Sequence, residues 1–284
     1  MALSFGSIQS SMLNRNLMTN TRRLGTSLER LSTGYRINRA SDDAAGLSIS
    51  ETLITQIRGY EQSIRNAQDG YSMLSVAEGA TSTISENLQR IRELTVQAGN
   101  DTLGSSERDA INAEINQRLE DIDRISESTQ FSGVQLLSEN APANFVLQIG
   151  PNATANDSLD VASALGDAGA TALGLTVPGN VDLSDAAAAT SFLTTVDSAI
   201  STLSSRRSTL GAFQNRIDSV IDNLSTAAMN VSAANSRIRD TDIATETSNY
   251  VRYSLLQQFD VSLMAQVNNN MASISLGLIN SLNR

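Results

Sequence analysis

The residues that could do chemistry in this 284-residue chain are carboxylates and arginines, because several other reactive residue types are missing. Cys, His, Trp and Lys do not occur, so all 20 basic residues are arginine, and they face 30 acidic ones. Catalytic triads, histidine metal sites, Schiff-base lysines, P-loop lysines and disulfides are therefore excluded together. The sequence predicts a protein that is not an enzyme and that uses no metal or other cofactor.

Two pairs of carboxylates have spacings that could support acid–base catalysis or cation binding. Asp42 and Asp43 are adjacent, and Asp240 and Asp242 are two residues apart. Each pair directly precedes a helix-compatible run, where short side-chain oxygens accept hydrogen bonds from free backbone amides. We interpret both pairs as helix starts, with catalysis and metal binding as remote alternatives.

The charge pattern argues against nucleic acid and membranes as partners. The net charge is −10, and the arginines occur singly or in pairs such as Arg22-Arg23 rather than in a basic stripe. No apolar run approaches the ~20 residues that span a bilayer. The stretch from Met1 to Leu13 lacks a cationic start followed by an apolar core, so we expect no cleavable signal peptide.

The helices that must position these residues flank a central window that contains all three prolines, between 142 and 178. Before the window, apolar residues recur at steps of three and four and predict one helix of roughly 55 residues, opened by Ser41-Asp42-Asp43 and ended near Gly99-Asn100. A second helix is expected from Ser105, running back along the first. The predicted faces are Leu53, Ile57, Tyr60, Ile64, Ala67, Tyr71, Leu74, Ile84, Leu88 and Ile91, then Ile111, Ile115, Leu119, Ile122 and Ile125.

A third long helix is expected to begin near Asp185. Its apolar stripe runs from Val196 to Ile238, interrupted by Arg206, and a stripe of this length needs partner helices along it. Between the helices, residues 144–150 alternate apolar and polar side chains and predict a strand, with residues 173–177 as a candidate second strand. We therefore predict a mainly α fold, an elongated helical bundle or coiled-coil rod with a small β-hairpin region at about 141–180 and with paired N- and C-terminal helices.

Both ends of the chain carry narrow apolar stripes that polar residues interrupt, Asn20 in one and residues 268–270 in the other. A single narrow stripe does not stabilise an isolated helix, so we expect these ends to order only when they pair with each other and with other copies. The expected inner-core assembly residues are Leu13, Leu17, Leu24, Leu28, Leu31, Leu256, Phe259, Leu263, Met271, Ile274 and Leu278.

Several motifs in both terminal thirds, in the same order along the chain, closely resemble bacterial flagellins. Taken together they are specific, although each short piece alone is not. The matching stretches are Leu31–Asn38, Asp42–Leu47, Asn87–Leu94, Gln117–Leu119, Thr129–Gly133, Ser236–Asp240 and Leu255–Gln258.

The resemblance implies a subunit that polymerises into the flagellar filament for swimming motility, outside the cell. Residues 1–40 and 243–284 are expected to form an inner terminal coiled-coil domain. Residues 41–242 are expected to form the surrounding rod domain, with no sizeable outer domain, because little sequence lies between the hairpin region and the last long helix.

The resemblance also implies partners. Export through the flagellar type III apparatus is expected, with a chaperone holding the stretch from Leu256 to Leu278, and with filament cap and hook-junction proteins at the filament ends. Recognition by Toll-like receptor 5 is a hypothesis. Its matching residues, which are also candidates for contacts between subunits, are Gln89, Arg90, Leu94, Gln97 and Glu114.

Three alternatives stay open on the sequence. A hook–filament junction protein shares the terminal helices and a similar length, although the stretches Ala44–Leu47 and Gln89–Gln97 look like flagellin. Periodicity alone also allows an unrelated coiled-coil interaction protein. An enzyme with carboxylate-only chemistry is remote, because the other reactive residue types are missing.

Overall fold

The computed structural model describes residues 2–175 and 181–282, with side chains described for 8–175 and 181–276. Within these residues the chain forms five long helices and four short strands, so the predicted mainly α fold is confirmed. The helices are α1 (Ala2–Thr33), α2 (Ala44–Ala98), α3 (Ser105–Ser128), α4 (Ala186–Arg239) and α5 (Ile243–Leu282). The strands are β1 (Gln130–Phe131), β2 (Val134–Gln135), β3 (Val146–Gln148) and β4 (Ser158–Asp160), with 3₁₀ turns at Ala155–Asp157 and Ala162–Ala164.

Carboxylates begin three of these helices, because each accepts a hydrogen bond from a backbone N–H in the first turn. Only one member of each predicted carboxylate pair takes this role. The three capping bonds run from Gly46 N to Asp43 Oδ1 (2.8 Å), from Ala188 N to Asp185 Oδ1 (2.6 Å) and from Ala244 N to Asp242 Oδ1 (2.9 Å).

The other members of the two pairs stabilise the segments next to the helices. Asp42 accepts hydrogen bonds from the backbone N–H groups of Arg39 and Asn38, which hold the pKa of its carboxyl below the ordinary value. Asp240 accepts a hydrogen bond from the hydroxyl of Ser236 in the last turn of α4. The carboxylate pairs therefore serve local backbone structure.

The chain divides into two compact units, and the first contains residues up to Thr55 together with residues from Val231 onward. In this unit α1 and α5 pair in antiparallel fashion. Asn20 is hydrogen-bonded to Asp260, and Thr21, the next residue along α1, is hydrogen-bonded to Gln257, which precedes Asp260 on α5. The expected pairing of the terminal helices is confirmed. The domain boundaries expected from the sequence, 40/41 and 242/243, both fall inside this first unit.

The second unit, Gln56–Asn230, holds the main apolar core. Hydrogen bonds from Arg90 to Glu114 and from Arg118 to Asn87 show that α3 runs antiparallel to α2, as predicted. The predicted face of α3 is buried at most positions, and that of α4 is buried at about half of its positions, as far along as Leu224. The buried members are Ile111, Ile115, Leu119, Ile122, Val196, Ala199, Leu203, Leu210, Ile217 and Leu224.

Arg206 interrupts the apolar stripe of α4 without leaving its charged group unpaired. Its Nη1 donates to the carbonyl oxygens of Gly166 (2.9 Å) and Asp167 (2.6 Å). Burial lowers the pKa of this guanidinium, and the nearby Asp167 charge opposes that effect. The arginine thus ties the segment that follows the strands to the middle of α4.

The β region differs from the prediction in its pairing. β3 pairs with β4, with Leu147 opposite Leu159, and not with the expected stretch 173–177. Residues 173–175 form no strand; Leu173 and Leu175 are apolar because they are buried in the core, and 176–180 lie outside the described residues. The two-residue hairpin β1–β2 was not expected from the sequence.

One predicted core position on α2 is also wrong. Tyr71 lies on the exposed side of the helix, and Gly70 occupies the buried side instead. Leu147 of β3 packs against α2 at this point, and its Cδ1 would clash with any Cβ added at Gly70. The β3–β4 hairpin therefore packs directly against the α2 backbone at this glycine.

Candidate assembly and recognition surfaces

The helices α1 and α5 meet along a seam in which buried and half-buried residues recur at steps of three and four. This alternation is the pattern of a two-helix coiled coil. On α1 the seam comprises Ser10, Leu13, Leu17, Asn20, Leu24, Ser27 and Leu31, and on α5 it comprises Glu246, Tyr250, Tyr253, Gln257, Asp260, Met264, Val267 and Met271.

The seam contains buried carboxylates, which is unusual for a coiled coil. Asp260 is 8% exposed and accepts a hydrogen bond of 2.7 Å from Asn20 Nδ2. Glu246 is 6% exposed, and its Oε2 lies 3.7 Å from Nη1 of Arg30. Because removing a carboxylate from water is costly unless a donor or opposite charge compensates, both contacts constrain how the helices align.

Large apolar residues of both helices lie exposed on faces outside the seam. Among the predicted assembly residues whose side chains the structure describes, Phe259 is the most exposed, at 62%. Exposed apolar residues grouped on one element mark protein–protein contact sites more often than chance. The exposed set comprises Ile8, Met12, Met18 and Leu28 on α1, and Ile243, Val251, Leu255, Leu256, Phe259, Val261, Leu263, Ile274 and Leu276 on α5.

The predicted assembly residues therefore divide into two groups. Leu13, Leu17, Leu24, Leu31 and Met271 are half-buried positions of the α1–α5 seam, whereas Leu28, Leu256, Phe259, Leu263 and Ile274 are exposed. The side chain of Leu278 lies outside the described residues. Sequence analysis missed Asp260 and Glu246 as seam residues, although their heptad spacing with Tyr253 and Val267 was visible in the sequence.

The predicted receptor-recognition residues lie in the second unit, on α2 and α3. Gln89, Arg90 and Gln97 are exposed. The guanidinium of Arg90 donates to Glu114 at 3.1 Å and to Glu93 at 3.2 Å, and these carboxylates raise the pKa of Arg90. The three charged groups form a small ion-pair cluster that joins α2 to α3.

Leu94 does not share this surface. Its side chain is 3% exposed and belongs to the apolar core of the second unit, on the same side of α2 as Ile91 and Ala98. Residues three and four positions apart lie on one side of a helix. Because Ile91 faces the core, Leu94, three residues later, faces the core as well. In the single chain Leu94 holds α2 in place rather than offering a contact.

Neither a metal centre nor a membrane-spanning helix is found among the residues that the structure describes. No group of three or more acidic side chains there is arranged to hold a metal ion. No helix within the same residues has the length and apolar character needed to cross a bilayer.

A mainly helical chain whose paired ends expose apolar faces has the features of a structural subunit that assembles with other chains. The family is given by comparison with known proteins. The model described as the bacterial flagellin N-terminal helical region matches residues 7–141, and the bacterial flagellin C-terminal helical region matches residues 193–276. The chain belongs to the bacterial flagellin family, whose members are structural subunits of the flagellar filament and not enzymes.

Individual relatives agree with this assignment over nearly the whole chain. The flagellin of Halalkalibacterium halodurans is 40% identical over 255 residues, covering 90% of this chain and 92% of the relative. The flagellin of Bacillus subtilis is 41% identical over 282 residues, with the same two coverages of 90% and 92%. A solved structure of a putative flagellar hook-associated protein from Vibrio parahaemolyticus is similar in fold alone, with a TM-score of 0.54, 16% identity, and coverage of 70% of this chain and 100% of that one.

Proposed function

We propose that α1 and α5 form the inner tube of the filament, with residues 1–40 and 243–284 as the inner domain and 41–242 as the surrounding rod domain. The observation that carries this proposal is the exposed apolar face of α5, where Leu256, Phe259 and Leu263 face away from α1. Removing such residues from water contributes roughly 25 cal/mol per Å² of apolar area. Neighbouring copies supply the cover that one chain lacks.

The α1–α5 pair alone has modest stability, because part of its seam is polar and its apolar residues are divided between the seam and the exposed face. The ordering of the chain ends is therefore coupled to assembly. This coupling suits export through the flagellar type III apparatus, which passes subunits unfolded, and it leaves the stretch from Leu256 to Leu278 available to a cytosolic chaperone before export. The filament lies outside the cell, between cap and hook-junction proteins.

A seeded growth assay tests the assembly proposal. Short filament seeds are mixed with native chain, with Leu263→Gln, with Leu24→Gln, or with the control Gln266→Ala, which changes an exposed polar residue on the same helix. Native and control chains are expected to extend the seeds, and the two leucine variants are expected not to, while the second unit keeps its melting temperature. Normal growth of the Leu263→Gln variant contradicts the proposal.

The same assay separates a filament subunit from the alternative, a hook–filament junction protein. A filament subunit propagates into long fibres of uniform diameter. A junction protein adds a single ring and stops, so growth limited to one ring supports the alternative instead.

Recognition by Toll-like receptor 5 is proposed for the Arg90–Glu114 cluster together with Gln89 and Gln97. In support, Gln89, Arg90 and Gln97 are exposed in the single chain, and the guanidinium of Arg90 is held by ion pairs with Glu93 on its own helix and with the half-buried Glu114 on α3. In a filament the same surface meets a neighbouring subunit, so receptor binding and assembly compete. Freed subunits are expected to stimulate receptor-bearing cells, and silence of those cells contradicts the proposal.

A further inference from the structure

We propose that the Asn20–Asp260 hydrogen bond, together with the Arg30–Glu246 ion pair, sets the register of α1 on α5. The proposal rests on the proposed function, because it assigns these residues the task of aligning the exposed apolar faces for assembly. They are positioning residues. The partner that contacts the aligned apolar faces is a second copy of this chain.

The apolar part of the seam does not determine the register by itself. Leu17, Leu24 and Leu31 recur at intervals of seven residues, so a shift of one heptad again places leucines at these seam positions. A heptad repeat allows such slippage unless a polar residue at a seam position specifies one alignment. The polar residues of this seam are therefore the ones that can specify a single register of α1 on α5.

Neither one-heptad slip satisfies both buried carboxylates. In one direction Asp260 moves from Asn20 to a position opposite Leu13, which offers no donor. In the other direction Asp260 meets the hydroxyl of Ser27, but Glu246 moves past the end of α1 at Thr33 and loses Arg30. A buried carboxylate without a partner is strongly unfavourable, so only the observed register satisfies both groups.

The register matters because the exposed faces of both helices must meet neighbours at once. A slip of seven residues displaces α5 along α1 by about 10 Å, at 1.5 Å per residue. Phe259 and Leu263 would then stand beside a different part of α1, and their distances from exposed apolar residues of α1 such as Met18 and Leu28 would change. The polar contacts reduce the apolar area buried in the seam, but they allow only one register of α1 on α5.

The test compares two double variants that change the same pair. Asn20→Leu with Asp260→Leu makes the layer apolar, which removes the register signal and keeps a well-packed seam. Asn20→Asp with Asp260→Asn exchanges the two groups and keeps the hydrogen bond. Because the chain contains no cysteine, spin labels at Asn14→Cys and Ser248→Cys, both exposed polar positions, report the register without background.

Each labelled chain is diluted into a large excess of native chain and assembled on seeds, and the label–label distance is measured in the washed filaments. The exchanged pair is expected to incorporate like native chain with the native distance. The leucine pair is expected either to remain in the supernatant or to incorporate with a distance shifted by about 10 Å. Far-UV circular dichroism and the melting temperature of the second unit confirm that both variants are folded.

Two results overturn the proposal: incorporation of the leucine pair with the native distance, or failure of the exchanged pair to incorporate. Failure of the native chain itself to extend seeds is a different outcome, since it contradicts the proposed function. In that case the label distances are measured in the soluble chains, under conditions in which the native chain gives one narrow distance and α1 and α5 are therefore paired. An unchanged distance in the leucine pair then contradicts the proposal, and a shifted one supports it.

Discussion

The guanidinium carbon of Arg239 lies 4.6 Å from the centroid of the Tyr35 ring, joining the last residue of α4 to the segment that follows α1. Backbone bonds reinforce the same connection within the first unit. Arg36 N donates to the carbonyl of Arg239 at 2.7 Å, and Thr241 N donates to the carbonyl of Gly34 at 2.9 Å. The two segments that connect the terminal helices to the rest of the chain are therefore tied to each other.

Replacing Arg239 with Gln is expected to loosen this connection. The variant loses a cation–π contact worth about 0.5–1 kcal/mol and an ion pair with the exposed Glu51 worth ~0–1 kcal/mol. Amide hydrogen exchange at Arg36 and Thr241 should become faster, with no change in the core of the second unit. The exposed neighbour Arg237→Gln is the control; equal acceleration in both variants would show that the ring contact is not responsible.

Two glycines in the middle of α2 should respond oppositely to alanine. Gly70→Ala forces Leu147 to move, and overpacking of this kind costs about 1–3 kcal/mol, more than the ~1 kcal/mol that alanine gains as a helix former. Gly79 has no atom within 4 Å of an added Cβ, so Gly79→Ala should stabilise the second unit by about 0.5–1 kcal/mol. Urea denaturation of both variants measures the difference, and stabilisation by Gly70→Ala would show that the hairpin does not pack as described.

The acid sensitivity of the start of α5 should depend on Asp242. Its pKa is lowered chiefly by a hydrogen bond from the Thr245 hydroxyl and also by the backbone N–H groups of Thr245 and Ala244. A lowered folded-state pKa contributes stability that is present above the ordinary value of 3.8 and is lost as the pH falls through the lower folded value. Carboxyl-carbon NMR should place the Asp242 midpoint below 3.8, and Thr245→Val should raise it. A midpoint at or above the ordinary value contradicts the capping role.

The recognition surface can be tested against a matched ion pair on the same helix. Gln89→Ala with Arg90→Ala should reduce stimulation of Toll-like receptor 5 by freed subunits by about tenfold or more, as expected when central charged contacts of an interface are removed. Arg92→Ala is the control, because Arg92 pairs with Asp197 of α4 at 2.6 Å and not with Glu114. An equal loss in the control would indicate a general effect on the helix.

Much of the helical fold follows from the sequence because its signals are local and repeated. Ser41-Asp42-Asp43 at one end and Gly99-Asn100 at the other predict the ends of α2 closely, and the three-four alternation from Val196 predicts the buried positions of α4 as far as Leu224. Short strands carry no such repetition. β4 has a single apolar residue, Leu159, so nothing in its sequence distinguishes it from a loop, whereas the buried loop around Leu173 resembles a strand.

The sequence also does not reveal which apolar residues of the terminal helices lie in the α1–α5 seam and which lie on the exposed faces. Apolar periodicity predicts an assembly role for Leu256, Phe259 and Leu263, but it does not tell which face of α5 meets α1. That choice depends on polar partners that are 240 residues apart in the sequence, Asn20 and Asp260. The structure departs from the prediction for Leu94 for a different reason. Its motif predicts a contact with the receptor or with another subunit, whereas its position on α2 places the side chain in the core.

The central claim is that the exposed face of α5 becomes covered when copies assemble, and side-chain footprinting of Phe259 and Leu263 tests it most directly. Hydroxyl radicals label exposed side chains, so both residues should be modified readily in the soluble subunit, where they are 62% and 46% exposed. In intact filaments the labelling of both should fall to near zero. Labelling of Phe259 and Leu263 in filaments at the rate of the free subunit would contradict the account.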